Sequence, residues 1–223
     1  MKVAVLVFLL GLSCCFFYSE AVLGVDVSIY DCPIWTVDDW RCVVNAGYEF
    51  AILETWNGGL TFNERIDTCV ERAKAGGIKQ VELYAFFCDN CPGNVPASSA
   101  MDTLLTKLDQ KGVQADRIWI DVEQCPGCWK DCATNTDYIH GLVNTAQGKG
   151  QAVGIYASAY EWQATLCSPS SFSSLPLWWA TYDHQANMNG FSSFGGWHSP
   201  QIHQYTDIGP CKLNADRNFK TSL

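Results

Sequence analysis

The chain alternates short apolar runs with segments whose apolar residues recur every three to four positions. Residues 24–30 form the first run and carry Asp26. Thr36, followed by Asp38 and Asp39, reads as a helix N-cap with acids in the first turn and predicts a helix to about Asn45. A second strand over 48–55 ends in Glu54, Thr55 and Trp56 and is broken by Gly58-Gly59. Residues 63–75 set Ile66, Val70 and Ala73 at helical spacing and stop at Gly76-Gly77. A third strand, 80–87, ends in Tyr84, Phe86 and Phe87, and a helix over 98–111 follows, with Met101, Leu104, Leu105 and Leu108 on one side. Then come a strand at 117–122, a Cys/Gly-rich loop at 124–133 and a helix at 134–147. A fifth strand, 152–157, precedes a short helix at 160–166. After this the rhythm changes. Residues 177–182, 201–205 and 213–217 read as strands joined by Ser/Gly-rich loops with no room for full helices.

Strands that alternate with helices imply a parallel sheet, and eight of them suggest closure. The expected fold is α/β: a modified TIM-like barrel of about five βα units followed by three strands with few helices. An open doubly wound sheet would want a Gly-rich turn after the first strand, and Asp26-Val27-Ser28-Ile29 offers none. Residues 1–21 read as a signal peptide, with Lys2 ahead of the apolar run 3–12 and small residues Ser19 and Ala21 at the cleavage positions. That leaves 22–223 as a single barrel domain, expected outside the cell or in the lumen of a digestive or vesicular compartment. No later run is long enough for a membrane span.

Composition narrows the partners. The 48% hydrophobic content supplies a sizeable core, and the net charge of −9 argues against nucleic acid and against insertion into anionic membranes. Ten cysteines follow the signal, an even number that favours up to five disulfides with the pairing left open. Cys88-x-x-Cys91 and Cys125-x-x-Cys128 have zinc spacing, but in an exported chain they read as disulfides. His140, His184, His198 and His203 show no metal spacing, so neither metal nor cofactor is expected. The Gly-x-Ser-x-Gly of a serine hydrolase is absent.

The chemistry centres on Arg117-Ile118-Trp119-Ile120-Asp121-Val122-Glu123. A strand puts alternate side chains on one face, so Asp121 and Glu123 point the same way with Cα atoms roughly 6–7 Å apart. Two close acids raise each other's proton affinity, and one can stay protonated near neutral pH. That is the raw material of glycosidic-bond cleavage. Trp and Tyr cluster at the other strand ends, as they would along a polysaccharide cleft.

An ordered set of segments then resembles glycoside hydrolase family 25, the Chalaropsis-type lysozymes, in the secreted cysteine-rich form of nematodes and amoebae. The segments are Gly24-Val25-Asp26-Val27-Ser28, Ile120-Asp121-Val122-Glu123, Gly154-Ile155-Tyr156, Leu177-Trp178-Trp179-Ala180-Thr181-Tyr182, His203-Gln204-Tyr205 and Ala215-Asp216-Arg217-Asn218-Phe219. The resemblance implies an eight-stranded barrel and an acidic cleft of Asp26, Asp121, Glu123 and Asp216. Asp207 competes for the last place, and the Asp-x-Asn-Phe context favours Asp216. Tyr84, Tyr156, Trp179, Gln204 and Tyr205 are expected to line the sugar site. The implied activity is that of an N-acetylmuramidase acting on bacterial peptidoglycan as a monomer, in defence or digestion. Glu123 would serve as general acid and then base, with Asp121 orienting the substrate's N-acetyl group. The alternatives are a glycan-binding barrel without turnover and a chitinase-like hydrolase. The longer Asp-x-x-Asp-x-Asp-x-Glu run of chitinases is absent here.

Overall fold

Strand alternation decides which side chains meet. A computed structural model describes residues 21–223. The elements run β1 (Val22–Val27), α1 (Val37–Asn45), β2 (Tyr48–Asn57), β3 (Thr61–Phe62), α2 (Ile66–Gly76), β4 (Gln80–Phe86) and α3 (Ala97–Gln110). They continue with β5 (Ile118–Asp121), α4 (Cys132–Gly148), β6 (Val153–Ala157), α5 (Ala159–Leu166), β7 (Leu177–Ala180), β8 (Ile202–Thr206) and β9 (Asp216–Lys220). Eight strands close into a barrel in the order β1-β9-β8-β7-β6-β5-β4-β2, with a β1–β2 pairing sealing it. The two-residue β3 folds back on the end of β2. Five helices accompany the barrel, so the α/β barrel expected from the rhythm is the architecture found.

Helix starts follow local chemistry. Thr36 caps α1 reciprocally: the Asp39 amide donates to its hydroxyl (3.2 Å), and its own amide donates to the Asp39 carboxylate (2.7 Å). The second helix begins at Ile66 rather than at residue 63. Asn63 is instead held to β2, donating from Nδ2 to the Glu54 carbonyl at 3.0 Å, and cannot enter the helix.

The last strand departs further from expectation. It starts at Asp216 rather than 213, and it runs antiparallel to both neighbours. Residues 207–215 are too few for the crossover that a parallel return needs, usually a dozen or more. The chain therefore turns back, which brings the first residue of β9 to the carboxyl ends of the parallel strands. A second difference concerns β5, which ends at Asp121. The Val122 amide makes one more bond, to the Tyr156 carbonyl (3.0 Å), and Glu123 lies in the following loop.

The core has two parts. One lies between barrel and helices, where Leu53, Leu83, Ile120 and Ile155 meet Trp40, Met101, Leu142 and Trp162. The other fills the barrel interior with Phe50, Ile52, Trp119, Trp178 and Ile202. Two inward positions are glycine because the rings leave no space. A Cβ on Gly24 would lie 2.4 Å from the Phe50 ring, and one on Gly154 would lie 2.4 Å from the Trp119 ring. Rings near the strand starts thus plug the barrel, and polar side chains occupy the strand ends.

All ten described cysteines are bridged: Cys32–Cys69, Cys42–Cys211, Cys88–Cys91, Cys125–Cys128 and Cys132–Cys167. The Cys42–Cys211 bridge spans 169 residues and ties α1 to the turn before β9. A loop of that length is worth on the order of 5 kcal/mol in the chain-entropy account. The signal-peptide reading covers residues 1–21, of which 1–20 lie outside the described residues. Among the described residues no helix is long and apolar enough to cross a membrane.

Candidate active site

At the carboxyl ends of the parallel strands, a cavity of about 110 Å³ is lined by Asp26, Tyr84, Asp121, Glu123, Tyr156, Trp178, Tyr182, Gln204 and Asp216. Seven of these come from seven different strands, each pointing inward by alternation, and an enzyme of this barrel type carries its site at this end. A wider hollow of about 520 Å³ sits at the other end, around Trp197 and Gln201, and no carboxylate lines it.

A chain of hydrogen bonds fixes the floor. Tyr156 donates to the Gln204 amide oxygen at 2.7 Å, and Gln204 donates to Asp26 Oδ2 at 3.0 Å. Asn218 donates to the same Oδ2 at 2.7 Å, and its own oxygen accepts from Trp178 Nε1 at 2.7 Å. Tyr182 donates to Asp216 Oδ2 at 2.8 Å. Asp121 and Glu123 hydrogen-bond to each other. Asp121 Oδ1 is buried with no partner among the described residues. It is a buried acceptor of a residue that lines the cavity.

Every acid here binds its proton more tightly than in water. Burial, then the Asp216 charge, pushes Asp26 up to about 8. Burial, then the Glu161 charge, pushes Glu123 up to about 7. Burial, then the Glu123 charge, holds Asp121 well above the usual carboxylate range. Burial also raises Asp216. The Asp121–Glu123 pair thus keeps a proton at neutral pH.

The four carboxylates expected from the sequence meet in one cavity, joined by Tyr84, Tyr156 and Gln204. Two expected sugar-site residues do not join them. Trp179 faces out of the barrel, stacked on His203 with ring centroids 4.1 Å apart and edge-on to Phe191. Its neighbour Trp178 takes the inward position. Tyr205 also faces outward, bonded to Tyr48 and Arg217, because Gln204 holds the inward place on β8. Tyr182, past the end of β7, and Glu54 stand at strand ends in the sequence but outside the site set implied by the resemblance, and Glu161 lies outside the sequence reading altogether. Glu54 binds the Ile29 amide (2.8 Å) and Asn57 Nδ2 (2.7 Å) and touches the Tyr84 hydroxyl. Glu161 sits in the first turn of α5, receives the Gln124 amide at 3.3 Å, and shares a neighbouring hollow with Glu123 and Tyr182.

A family model described as lysozyme-like protein 1 matches residues 19–205. The chain is 36% identical to Counting factor 50 of Dictyostelium discoideum over 97% of its own length and 69% of that longer protein. It is 30% identical to "Probable GH family 25 lysozyme 2" of the same organism, over 90% of this chain and 91% of the other. The chain belongs to the GH25 lysozyme family. Its fold agrees with a solved family GH25 lysozyme from Aspergillus fumigatus at TM-score 0.72 and 19% identity, covering 90% of this chain and 94% of that one. In this GH25 chain the inward acids fall on the first, middle and last barrel strands and on the loop after β5.

Proposed function

We propose that this GH25 protein is a secreted N-acetylmuramidase. It hydrolyses the β-1,4 bond between N-acetylmuramic acid and N-acetylglucosamine in bacterial peptidoglycan, for defence or digestion, and acts as a monomer without a cofactor. The observation that carries the reading is the meeting of Asp121 and Glu123, in hydrogen-bond contact, with Asp26 and Asp216 in one strand-end cavity. Such a constellation suits glycosidic cleavage, in which one carboxyl protonates the leaving oxygen.

Glu123 is the general acid. Burial keeps its proton on up to about pH 7, and its loop position is nearer solvent than the buried Asp121. The contact between the two carboxyls favours retention. Inverting pairs stand about 6.5–9.5 Å apart to admit a water, and a hydrogen-bonded pair leaves no such gap. The substrate's own N-acetyl oxygen would attack the sugar carbon while Asp121 orients and polarises the amide. Asp26, fixed by Gln204 and Asn218, and Asp216, fixed by Tyr182, frame that centre and tune the proton affinity of its acids. The cysteine-rich frame supports export, since disulfides persist in oxidising compartments.

The test is clearing of purified bacterial walls by residues 22–223 beside Glu123→Gln. General acid catalysis supplies about 10²–10⁴-fold, so the variant should lose that much, with N-acetylmuramic acid at the new reducing ends of the wild-type digest. Equal clearing by both proteins would remove Glu123 from the role. Binding to walls without clearing by either would leave a glycan-binding barrel. That second reading draws on the counting-factor relatives, whose name is not that of a lysozyme.

A further inference from the structure

The sequence holds two Cys-x-x-Cys pairs, and the fold brings them to one place. Cys88 and Cys91 follow β4, and Cys125 and Cys128 follow β5. The sulfurs of Cys88, Cys91 and Cys128 lie within 4.8 Å of one another, and Cys125 is bonded to Cys128. A bridge closed within its own loop has no need of a second pair beside it. The two loops are nevertheless locked together: Asn90 donates from its amide to the Cys128 carbonyl (3.0 Å) and from Nδ2 to the Gly127 carbonyl (2.9 Å).

The surroundings are those of an enclosed thiol site. Cys88 and Cys128 are buried. Gly58, in the turn after β2, covers one side: a Cβ there would stand in ordinary contact, 3.5 Å from the Cys88 sulfur and 3.6 Å from that of Cys91. The second pair is a tight turn closed by the Cys128 amide on the Cys125 carbonyl (3.2 Å), and the turn that follows the first pair is closed by the Asn94 amide on the Cys91 carbonyl (3.0 Å). Zinc(II) bound by four thiolates at ~2.3 Å places its sulfurs about 3.8 Å apart, within about 1 Å of the limit that already holds for Cys88, Cys91 and Cys128, and Cys125 reaches the same centre once its bond to Cys128 is opened.

We propose that Cys88, Cys91, Cys125 and Cys128 form a redox-convertible site for one zinc(II) ion. In the oxidised chain they are two disulfides. Two equivalents of a dithiol reductant open them: each bridge takes two electrons and two protons, and each dithiol leaves as a cyclic disulfide. Zinc(II) then replaces the four thiol protons and is held by sulfur alone. The site has a mechanical line to the cleft. Trp129, next to Cys128, donates to the Glu123 main-chain carbonyl at 2.8 Å and packs edge-on against Phe86. Both states of the quartet therefore anchor the loop that carries Glu123. The site stands on its own geometry, independent of turnover in the cleft.

The experiment treats folded residues 22–223 with graded dithiol under anaerobic conditions, adds cobalt(II) and then zinc(II), and maps free thiols by alkylation. Cys42 and Cys167 are more exposed than any member of the quartet, so alkylation mapping at each dithiol step assigns the metal uptake. Cys88, Cys91, Cys125 and Cys128 should open while the chain stays folded, and uptake should follow their opening rather than that of the other bridges. One cobalt per chain should bind, with thiolate charge-transfer and tetrahedral d–d bands that one equivalent of zinc abolishes. Zinc should shield all four cysteines from alkylation, and Cys88→Ser/Cys125→Ser should lose the bands. Near-UV circular dichroism on the wild type tracks folding throughout, so the result does not hang on the variant. Four free thiols in a folded chain that takes up no metal would overturn the site. So would cobalt uptake unchanged in the double variant, or a quartet that opens only when the fold is lost.

Discussion

Asp26 on β1 and Asp216 on β9 are register partners across an antiparallel pair. Two carboxylates from opposite ends of the chain are thus neighbours on the cavity wall. Their contact follows from the reversal of the last strand, since a parallel β9 would send its first residue to the plugged end of the barrel. The charge of Asp216 is, after burial, the largest cause of the raised proton affinity of Asp26. Asp216→Asn keeps an oxygen acceptor for Tyr182 but removes the charge. The Asp26 carboxyl should then titrate below its present value of about 8, while burial still holds it above the usual range. Carboxyl-carbon NMR of labelled aspartate reads this directly, and an unmoved Asp26 resonance would refute the coupling.

The general acid is tuned by a residue on a helix. Glu123 titrates at about 7, and Glu161 is the largest contributor after burial. Activity should therefore fall as pH rises through about 7, when Glu123 gives up the proton it must donate. Glu161→Gln keeps an acceptor for the Gln124 amide and removes the negative neighbour. Ionisation of Glu123 becomes easier, so the falling limb of kcat/KM should move to lower pH, with little change near pH 5. A limb that stays where it was would leave the Glu161 carboxylate only a structural role, as acceptor for the Gln124 amide and the Ser158 hydroxyl.

Trp178 and Trp179 separate the site from its support. Trp178→Phe removes the donor to Asn218, whose oxygen is buried, and an unsatisfied buried group costs ~1–3 kcal/mol. Asn218 is then free to turn away from Asp26, and kcat/KM should drop about tenfold or more, the equivalent of ~1.4 kcal/mol of lost positioning. Trp179→Phe should lower Tm through the His203 stack at a cost of ~1–3 kcal/mol, with kcat/KM within about twofold. Wall-clearing rates beside thermal melts distinguish the two, and equal kinetic damage from both would contradict the inward–outward assignment.

Much of this was legible in the sequence. The apolar runs located seven of the barrel strands, because a strand buried on both faces reads as a continuous apolar stretch, whereas β9, Asp216-Arg217-Asn218-Phe219-Lys220, is largely polar and was placed three residues early. The same continuity hides the phase. In Leu177-Trp178-Trp179-Ala180 every residue is buried, so nothing local tells which tryptophan faces the cavity. On β8 the signal was present: Gln204 and Tyr205 are strand neighbours and cannot both point inward. Polar residues inside apolar runs, Asp26, Asp121 and Gln204, are the phase markers, and each of them lines the cavity. Tyr182 and Glu161 lie outside the strands, in a loop and in a helix cap, where alternation carries no information. The reversal of β9 was readable only from the shortness of its connection.

The cluster of raised carboxyls has a consequence for stability. Asp26, Asp121, Glu123, Asp216 and Glu54 all hold protons more tightly in the folded chain than free carboxyls do. Below about pH 4 both folded and unfolded chains are protonated at these sites, and they cost the fold nothing. Between about pH 4 and 8 the unfolded chain has released these protons and the folded chain retains some. The folded state then binds more protons, so ΔG of unfolding falls as pH rises. Each tenfold gain in proton affinity on folding corresponds to ~1.4 kcal/mol lost once pH exceeds the folded value. Thermal melts of residues 22–223 should therefore give a higher Tm near pH 5 than near pH 8. Asp26→Asn, which cannot ionise, should flatten that slope and raise Tm at pH 8 while reducing activity. A Tm that climbs from pH 5 to pH 8 in the wild type would mean that these acids are ionised and paired in the native cleft, and would remove the basis for Glu123 as a proton donor at neutral pH.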